Sequence, residues 1–273
     1  LISSDTIVDL TSDIPLYARY SSAPFSIYLA NNLASITVDG DVQYRYQGAS
    51  VNNYVIFNGE TWRIIGVIST PTLQSDGTYK NEDLVKIMRN ESIGALAWDT
   101  SSSSVWSSSS LASILNTAYL NRTGDYSSTG IMDNVRSMLA NVKWNVNAVS
   151  QTSTTLDAYS GEKATTWNGY VGLFSYSDYG LMSTSCSTND TKLSAYNKCT
   201  SDTWFDFSTA TWSMTPSTAT LIKNALEVKD TGEGDIGKVS VTNAVKPVVY
   251  LNNNVVRSSG DGSSSNPYVL TLE

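Results

Sequence analysis

The sequence predicts an α+β domain built on a mixed sheet with two amphipathic helices and long loops, preceded by an extended N-terminal segment. Three observations lead there. The stretch Tyr54 to Ser69, YVIFNGETWRIIGVIS, sets two β-branched and aromatic runs on either side of Asn58-Gly59, and both break residues tolerate the positive φ of a type I′ hairpin turn. Its second arm, Trp62 to Ile68, is apolar apart from Arg63, the pattern of a strand covered on both faces. Further on, Leu111, Ile114, Leu115, Ala118 and Tyr119 recur at helical spacing after a capping Ser110. Ile131, Val135, Met138, Leu139 and Val142 do the same after Thr129.

Taken in order, Leu1 to Leu10 reads as a strand that stops at the breaker segment Thr11 to Pro15. Tyr17 to Leu33, interrupted by Pro24, carries no compact motif. Ser35 to Val38 and Val42 to Tyr46 flank Asp39-Gly40, a second hairpin turn. Residues 1–44 are therefore expected as an extended arm and residues 45–273 as the domain. The arm's apolar positions Ile2, Ile7, Val8 and Leu10 either pair at the edge of their own sheet or are lent to another copy by β-augmentation. Beyond the central hairpin, Asp76-Gly77 marks a turn, and Asp83 to Arg89 forms a strand against Trp62 to Ile68. A serine-rich loop from Ser101 to Ser110 holds Val105 and Trp106. After the two helices, Tyr170 to Ser175 reads as a short strand and Ala219 to Val228 as a helix by composition. Val245 to Leu251 is a core strand with Pro247 at an edge or bulge, and Val255 to Arg257 with Tyr268 to Leu272 closes the chain as a hairpin.

Composition narrows the function. Of 273 residues 41% are hydrophobic, enough for a substantial core, but only 15% are charged. Ser, Thr, Asn and Tyr carry the polar faces instead, a profile common in secreted or surface-displayed chains. A net charge of −8 leaves no basic surface to displace counterions from nucleic acid. The chain has no histidine, which removes Ser-His-Asp and Cys-His catalysis and every His-containing zinc site. No apolar run approaches the 18 or so residues of a membrane span. With no signal-peptide pattern, a start at Leu1 reads as a processed or trimmed product. Cys186 and Cys199, the two cysteines, suggest a disulfide in an oxidising compartment, the alternative being two buried free thiols.

Several segments carry a resemblance: YVIFNGETWRIIGV at Tyr54 to Val67, VKIMRNESIG with AWDTS at Val85 to Ser101, GYVGLFSYSDYG at Gly169 to Gly180, WSMTPS at Trp212 to Ser217, AVKPVVYL at Ala244 to Leu251, and GDGSSSNPYVL at Gly260 to Leu270. In this order they resemble a family of bacterial surface proteins with a C-type-lectin-like, or formylglycine-generating-enzyme-like, module, sometimes on pilin-like chains. The match spans about residues 45 to 273. It implies a C-type-lectin-like domain on a secreted or anchored chain, and no assigned chemistry. Lys246 stands where related modules often have arginine. The copper-binding cysteines of true formylglycine-generating enzymes have no counterpart, because Cys186 and Cys199 sit in a different segment, where surface relatives carry a short-loop disulfide.

Among the chemical candidates, Asp230, Glu233 and Asp235 offer either calcium ligands or a solvated turn. Arg63 either bridges a buried carboxylate or faces a cleft. Asp178 is expected to cap a turn, and Asp99 lacks an identifiable second acid for glycoside hydrolysis. Trp106, Trp167, Tyr176, Tyr179 and Trp204 form either part of the core or an aromatic recognition surface for a glycan or protein. Sequons begin at Asn90, Asn121 and Asn189. The resulting expectation is a non-enzymatic extracellular protein of the bacterial cell surface, without cofactor or metal. It acts as an adhesive or structural subunit that joins copies of itself through the N-terminal strand. The alternative is a monomeric module that binds a host or environmental glycan or protein, and an oxidase-like or hydrolytic enzyme is the weaker third.

Overall fold

The computed structural model describes residues 23–187, 191–195, 199–219 and 223–273. The strand expected around Ile2, Ile7, Val8 and Leu10 lies outside the described residues. The segment from residue 23 to residue 44 is not an arm. Helix α1 (Phe25–Ala30) buries Phe25 and Leu29 in the main core, with the Phe25 ring edge-on to Tyr268 at 5.3 Å. Strands β1 (Ser35–Val38) and β2 (Asp41–Arg45) form the expected hairpin, with Asp39 and Gly40 at φ 50° and 82°. β2 then pairs with the central sheet, so residues 23–44 are part of the domain rather than an extension of it. Burial of two large side chains outweighs the loop-like composition of this stretch.

The central hairpin forms as its turn chemistry requires. β3 (Tyr54–Phe57) and β4 (Glu60–Leu73) meet at Asn58 and Gly59, whose φ values are 58° and 73°. Every residue from Trp62 to Ile68 is buried. β4 pairs along one edge with β5 (Tyr79–Arg89) from Trp62↔Arg89 to Leu73↔Tyr79, bulging once between Ile64 and Gly66. β6 (Ala95–Ala97) leaves for a second sheet.

The first expected helix exists as α2 (Ser110–Ile114), capped by Ser109 and continued by a π-helical turn over Leu115–Tyr119. The second does not. Only α3 (Asp133–Arg136) is helical; Leu139 bridges Leu251, the Ala140 amide donates to the Tyr250 carbonyl, and Val142 begins β7 (Val142–Asn145). The apolar side chains of this segment still face the core, but neighbouring strands take up its backbone hydrogen bonds, and tertiary context overrides the helical period. Instead, α4 (Thr155–Glu162) appears where no strong periodicity announces it, capped by Thr154. β8 (Thr166–Gly169) pairs with β7, and β9 (Val171–Gly172) is all that forms of the strand expected over residues 170–175. There the chain turns into α5 (Tyr176–Leu181).

The smaller sheet has the order β12-β11-β10-β13-β6, built from β10 (Thr211–Pro216), β11 (Asn224–Val228), β12 (Gly234–Lys238), β13 (Thr242–Ala244) and β6. Residues 224–228, read as helical by composition, are a strand because pairing on both sides and complete burial favour it. β14 (Val248–Leu251) is the expected core strand, between β5 and β9, with Pro247 just ahead of it. β15 (Val255–Ser259) and β16 (Tyr268–Leu272) make the terminal hairpin, and β16 runs parallel to β3. The class is α+β, sheet-dominated with short helices.

Cys186 and Cys199 form a disulfide. The two cysteines stand 13 positions apart, and closing a loop of that length should restrict the unfolded chain enough to contribute about 3 kcal/mol. The Cys186→Ala/Cys199→Ala variant is expected to show that loss as a lower urea midpoint. An unchanged midpoint would mean that the loop is held by its other contacts. Among the described residues no helix is long and apolar enough to cross a membrane.

Candidate functional site

The edge of β4 opposite β5 serves three partners in turn: β3, then β2 as far as Tyr44↔Val67, then β7 from Thr72↔Val142. Between the last two, residues 68–71 have no ladder partner on that edge among the described residues. Four strand residues span roughly 13 Å, and the parting of β2 from β7 over that length opens a cleft of about 290 Å³.

Its floor is a buried charge cluster drawn from three elements. Asp178, in the first turn of α5, completes a capping box: its amide donates to Ser175 Oγ at 3.1 Å, and its Oδ2 accepts the Ser175 amide at 2.9 Å. The same carboxylate accepts Arg45 Nη1 from β2 at 2.8 Å and Lys86 Nζ from β5 at 2.6 Å. All three side chains are nearly fully buried. Lys86 Nζ also lies 5.3 Å from the ring centroids of both Trp144 and Tyr250. Burial alone would raise the Asp178 pKa, but the charges of Lys86 and Arg45 and the bonds it accepts hold it far below the ordinary carboxylate range. Burial likewise opposes the Lys86 charge, and Asp178 outweighs it, leaving the ammonium pKa raised.

From Arg45 a chain of hydrogen bonds runs outward. Its Nε donates to Gln43 Oε1 at 2.6 Å, Gln43 Nε2 donates to the Tyr159 hydroxyl at 2.5 Å, and that hydroxyl donates to Asp41 Oδ2 at 2.8 Å. At the rim Lys163 pairs with Asp41 at 2.6 Å and Asp39 at 3.2 Å, while Lys143 covers the Tyr79 ring at 4.2 Å.

Glu162, the last residue of α4, faces the same cleft. Its carboxylate accepts Ser177 Oγ at 2.5 Å, Thr215 Oγ1 at 2.7 Å and the Ser177 amide at 3.3 Å. Burial is the larger influence and, reinforced by the nearby Asp178 charge, pushes its pKa up to about 7 from 4.5 despite those bonds. A carboxyl raised on folding stabilises the native state below the unfolded value, and that contribution is lost as pH rises through the folded one. Glu162 should therefore cost up to about 3 kcal/mol of stability between pH 4.5 and 7. The Glu162→Gln variant is expected to flatten the stability profile over that interval, measured by denaturant titration at fixed pH steps. A slope equal to wild type would remove Glu162 as its source.

The aromatic residues expected to form a recognition surface are placed otherwise. Trp106, Tyr176, Tyr179 and Trp204 are buried and Trp167 half-buried, and none of them lines the cleft. Trp106 packs edge-on against both Trp98 and Trp167. Tyr176, Tyr179 and Trp204 donate to the carbonyls of Gln151, Gly232 and Tyr46. In a chain with few leucines these rings fill the core. Arg63 meets no carboxylate within ion-pair distance among the described residues; its Nε donates to Asn53 Oδ1 at 2.6 Å and the guanidinium lies between the Tyr54 and Trp204 rings. Asp99 is spent on the serine-rich loop, accepting Ser101 Oγ and the amides of Ser103 and Ser110. Lys246 pairs with Asp206 at 3.0 Å.

Asp235 is engaged by Lys229, and among the described residues no group of three or more acidic, His or Cys side chains is disposed to hold a metal. Of the sequons, Asn121 is exposed, Asn90 is half-buried and Asn189 lies outside the described residues. Sequence reasoning placed Asp178 as a cap but did not find Arg45, Lys86 or Glu162. The signal for Lys86 was present, a single cation inside the apolar run LVKIM, whereas Glu162 sits in a segment without pattern. Comparison of the chain with protein-family models, with curated proteins and with solved structures finds no match.

Proposed function

We propose that this chain is a non-enzymatic binding module of the bacterial cell surface, with a C-type-lectin-like domain that takes the end of a glycan in the cleft at the β4 edge. The observation behind this reading is the split between β2 and β7: a solvent-accessible recess with a fixed polar floor and hydroxyl, amide and aromatic groups around it. Such recesses orient small polar ligands, and this one lies at the lower end of their usual volumes. The resemblance over residues 45–273 and a disulfide compatible with an extracellular setting support the location. Turnover is disfavoured because both acids on the floor are already committed, Asp178 to two cations and a helix cap, Glu162 to three donors. Asp178, held ionised by its two cations, is not free to shuttle a proton to a substrate.

A glycan array probed with the labelled protein tests the reading. Wild type should retain a defined subset of glycans, and Ser69→Trp, which fills the recess from an exposed position on its wall, should lose them with an unchanged melting temperature. No retained glycan, or equal retention by the variant, would sink it. Assembly of copies through the N-terminal strand is tested by deleting residues 1–22. A cut at 33 would also remove Phe25 and Leu29 from the core.

A further inference from the structure

We infer that the glycan end held in this cleft is acidic, a saccharide whose terminal ring carries a carboxylate. The inference rests on the binding reading of the cleft and deepens it. The chain as a whole bears −8, yet the split in the sheet gathers cations. Arg45, Lys86 and Lys143 reach it from β2, β5 and β7, the strand on either side of the gap and the one across β4. Against these three stands one firmly ionised carboxylate, Asp178, which Arg45 and Lys86 share. Glu162, the other acid on the floor, is held toward its neutral form by burial. Asp41 lines the cleft as well, and it and Asp39 are paired with Lys163, a fourth cation of the lining.

The cationic side retains donors for a ligand. Arg45 uses Nε for Gln43 and Nη1 for Asp178, and its Nη2 has no hydrogen-bond partner among the described residues. Lys143 rests on the Tyr79 ring with no carboxylate within ion-pair distance among the described residues. A guanidinium on the floor and an ammonium at the rim of one recess concentrate positive potential there.

The backbone of the gap narrows the ligand class further. Alternation along β4 turns Ser69 and Pro71 toward the open edge, because Leu73, two residues on, donates its amide to Asn141 on that side. Proline offers no N–H, so the edge cannot template an added peptide strand. What it presents is the Ser69 amide, two carbonyls and the side chains of Asn81 and Asn145, a set suited to the hydroxyls of a sugar ring.

The test is calorimetric titration of the protein with three acidic glycans: trigalacturonate, a hyaluronan tetrasaccharide and sialyllactose. Each is paired with its methyl-esterified counterpart, which keeps the ring and loses the charge. At least one acid should bind ten-fold or more tightly than its ester, and Lys143→Glu should bring that ratio close to one. Esters that bind as well as the acids would overturn the acidic inference while leaving glycan binding intact. An acid preference indifferent to Lys143→Glu would move the anion elsewhere and overturn this site. Failure of all six ligands at millimolar concentration would overturn both readings.

Discussion

Replacing Asp178 with asparagine is expected to lower the folding free energy by about 3–5 kcal/mol, the range for breaking a buried ion pair from one side. The cause is what remains: Arg45 and Lys86 would stay buried beside an amide that cannot neutralise either. The cap is a smaller part of the effect, since Ser175→Ala, which removes only the cap hydroxyl, should cost about 1 kcal/mol. Urea denaturation of both variants separates the two contributions. Similar small losses for the two would mean that the ion pair adds nothing beyond the cap. The pH dependence gives an independent check. Because the folded pKa of Asp178 is depressed below its ordinary 3.8, its stabilisation is fully present above the unfolded value and disappears as pH falls through the folded one. Wild type should therefore weaken in acid below about pH 4, and Asp178→Asn should lose that part of its acid sensitivity.

A second large effect is expected at Gly66, which lies at the β4 bulge against β2. A Cβ there would collide with the Tyr44 carbonyl oxygen and come within 3.1 Å of Arg45 Cα. Both obstacles are backbone, so neither can rotate away, and β2 would have to move off β4. Gly66→Ala should cost about 3 kcal/mol, the upper range for overpacking. The consequence reaches the cleft, because β2 carries Arg45 to Asp178 and forms one wall of the split. Thermal melting measures the first effect. Titration with the glycan retained by wild type, below the melting range of the variant, measures the second. A variant that melts and binds like wild type would show that β2 yields without penalty.

The reach of sequence reasoning differs from element to element. The turns at Asp39-Gly40 and Asn58-Gly59 were legible because two adjacent residues set a turn's backbone geometry. The β4–β5 ladder and the terminal hairpin came from apolar runs bounded by turns. The segment from Ile131 to Val142 misled, since its helical spacing of apolar side chains is equally well buried when the backbone joins Tyr250 and Thr72. Asn224–Val228 misled because its composition suits a helix, while pairing with β10 and β12 on both sides makes it a strand. The aromatic residues named for recognition were legible as apolar bulk, but which way a ring faces depends on what the rest of the fold packs against it.

Local chemistry by itself determined the hairpins, the class of the fold and the exclusion of histidine-dependent catalysis. Each of these depends on residue identity or on neighbours close along the chain. Only the tertiary structure decided the cleft and its charge. Asp178 stands 133 residues from Arg45 and 92 from Lys86, and no periodicity records that long-range Coulomb attraction and shared burial will bring the three to one point.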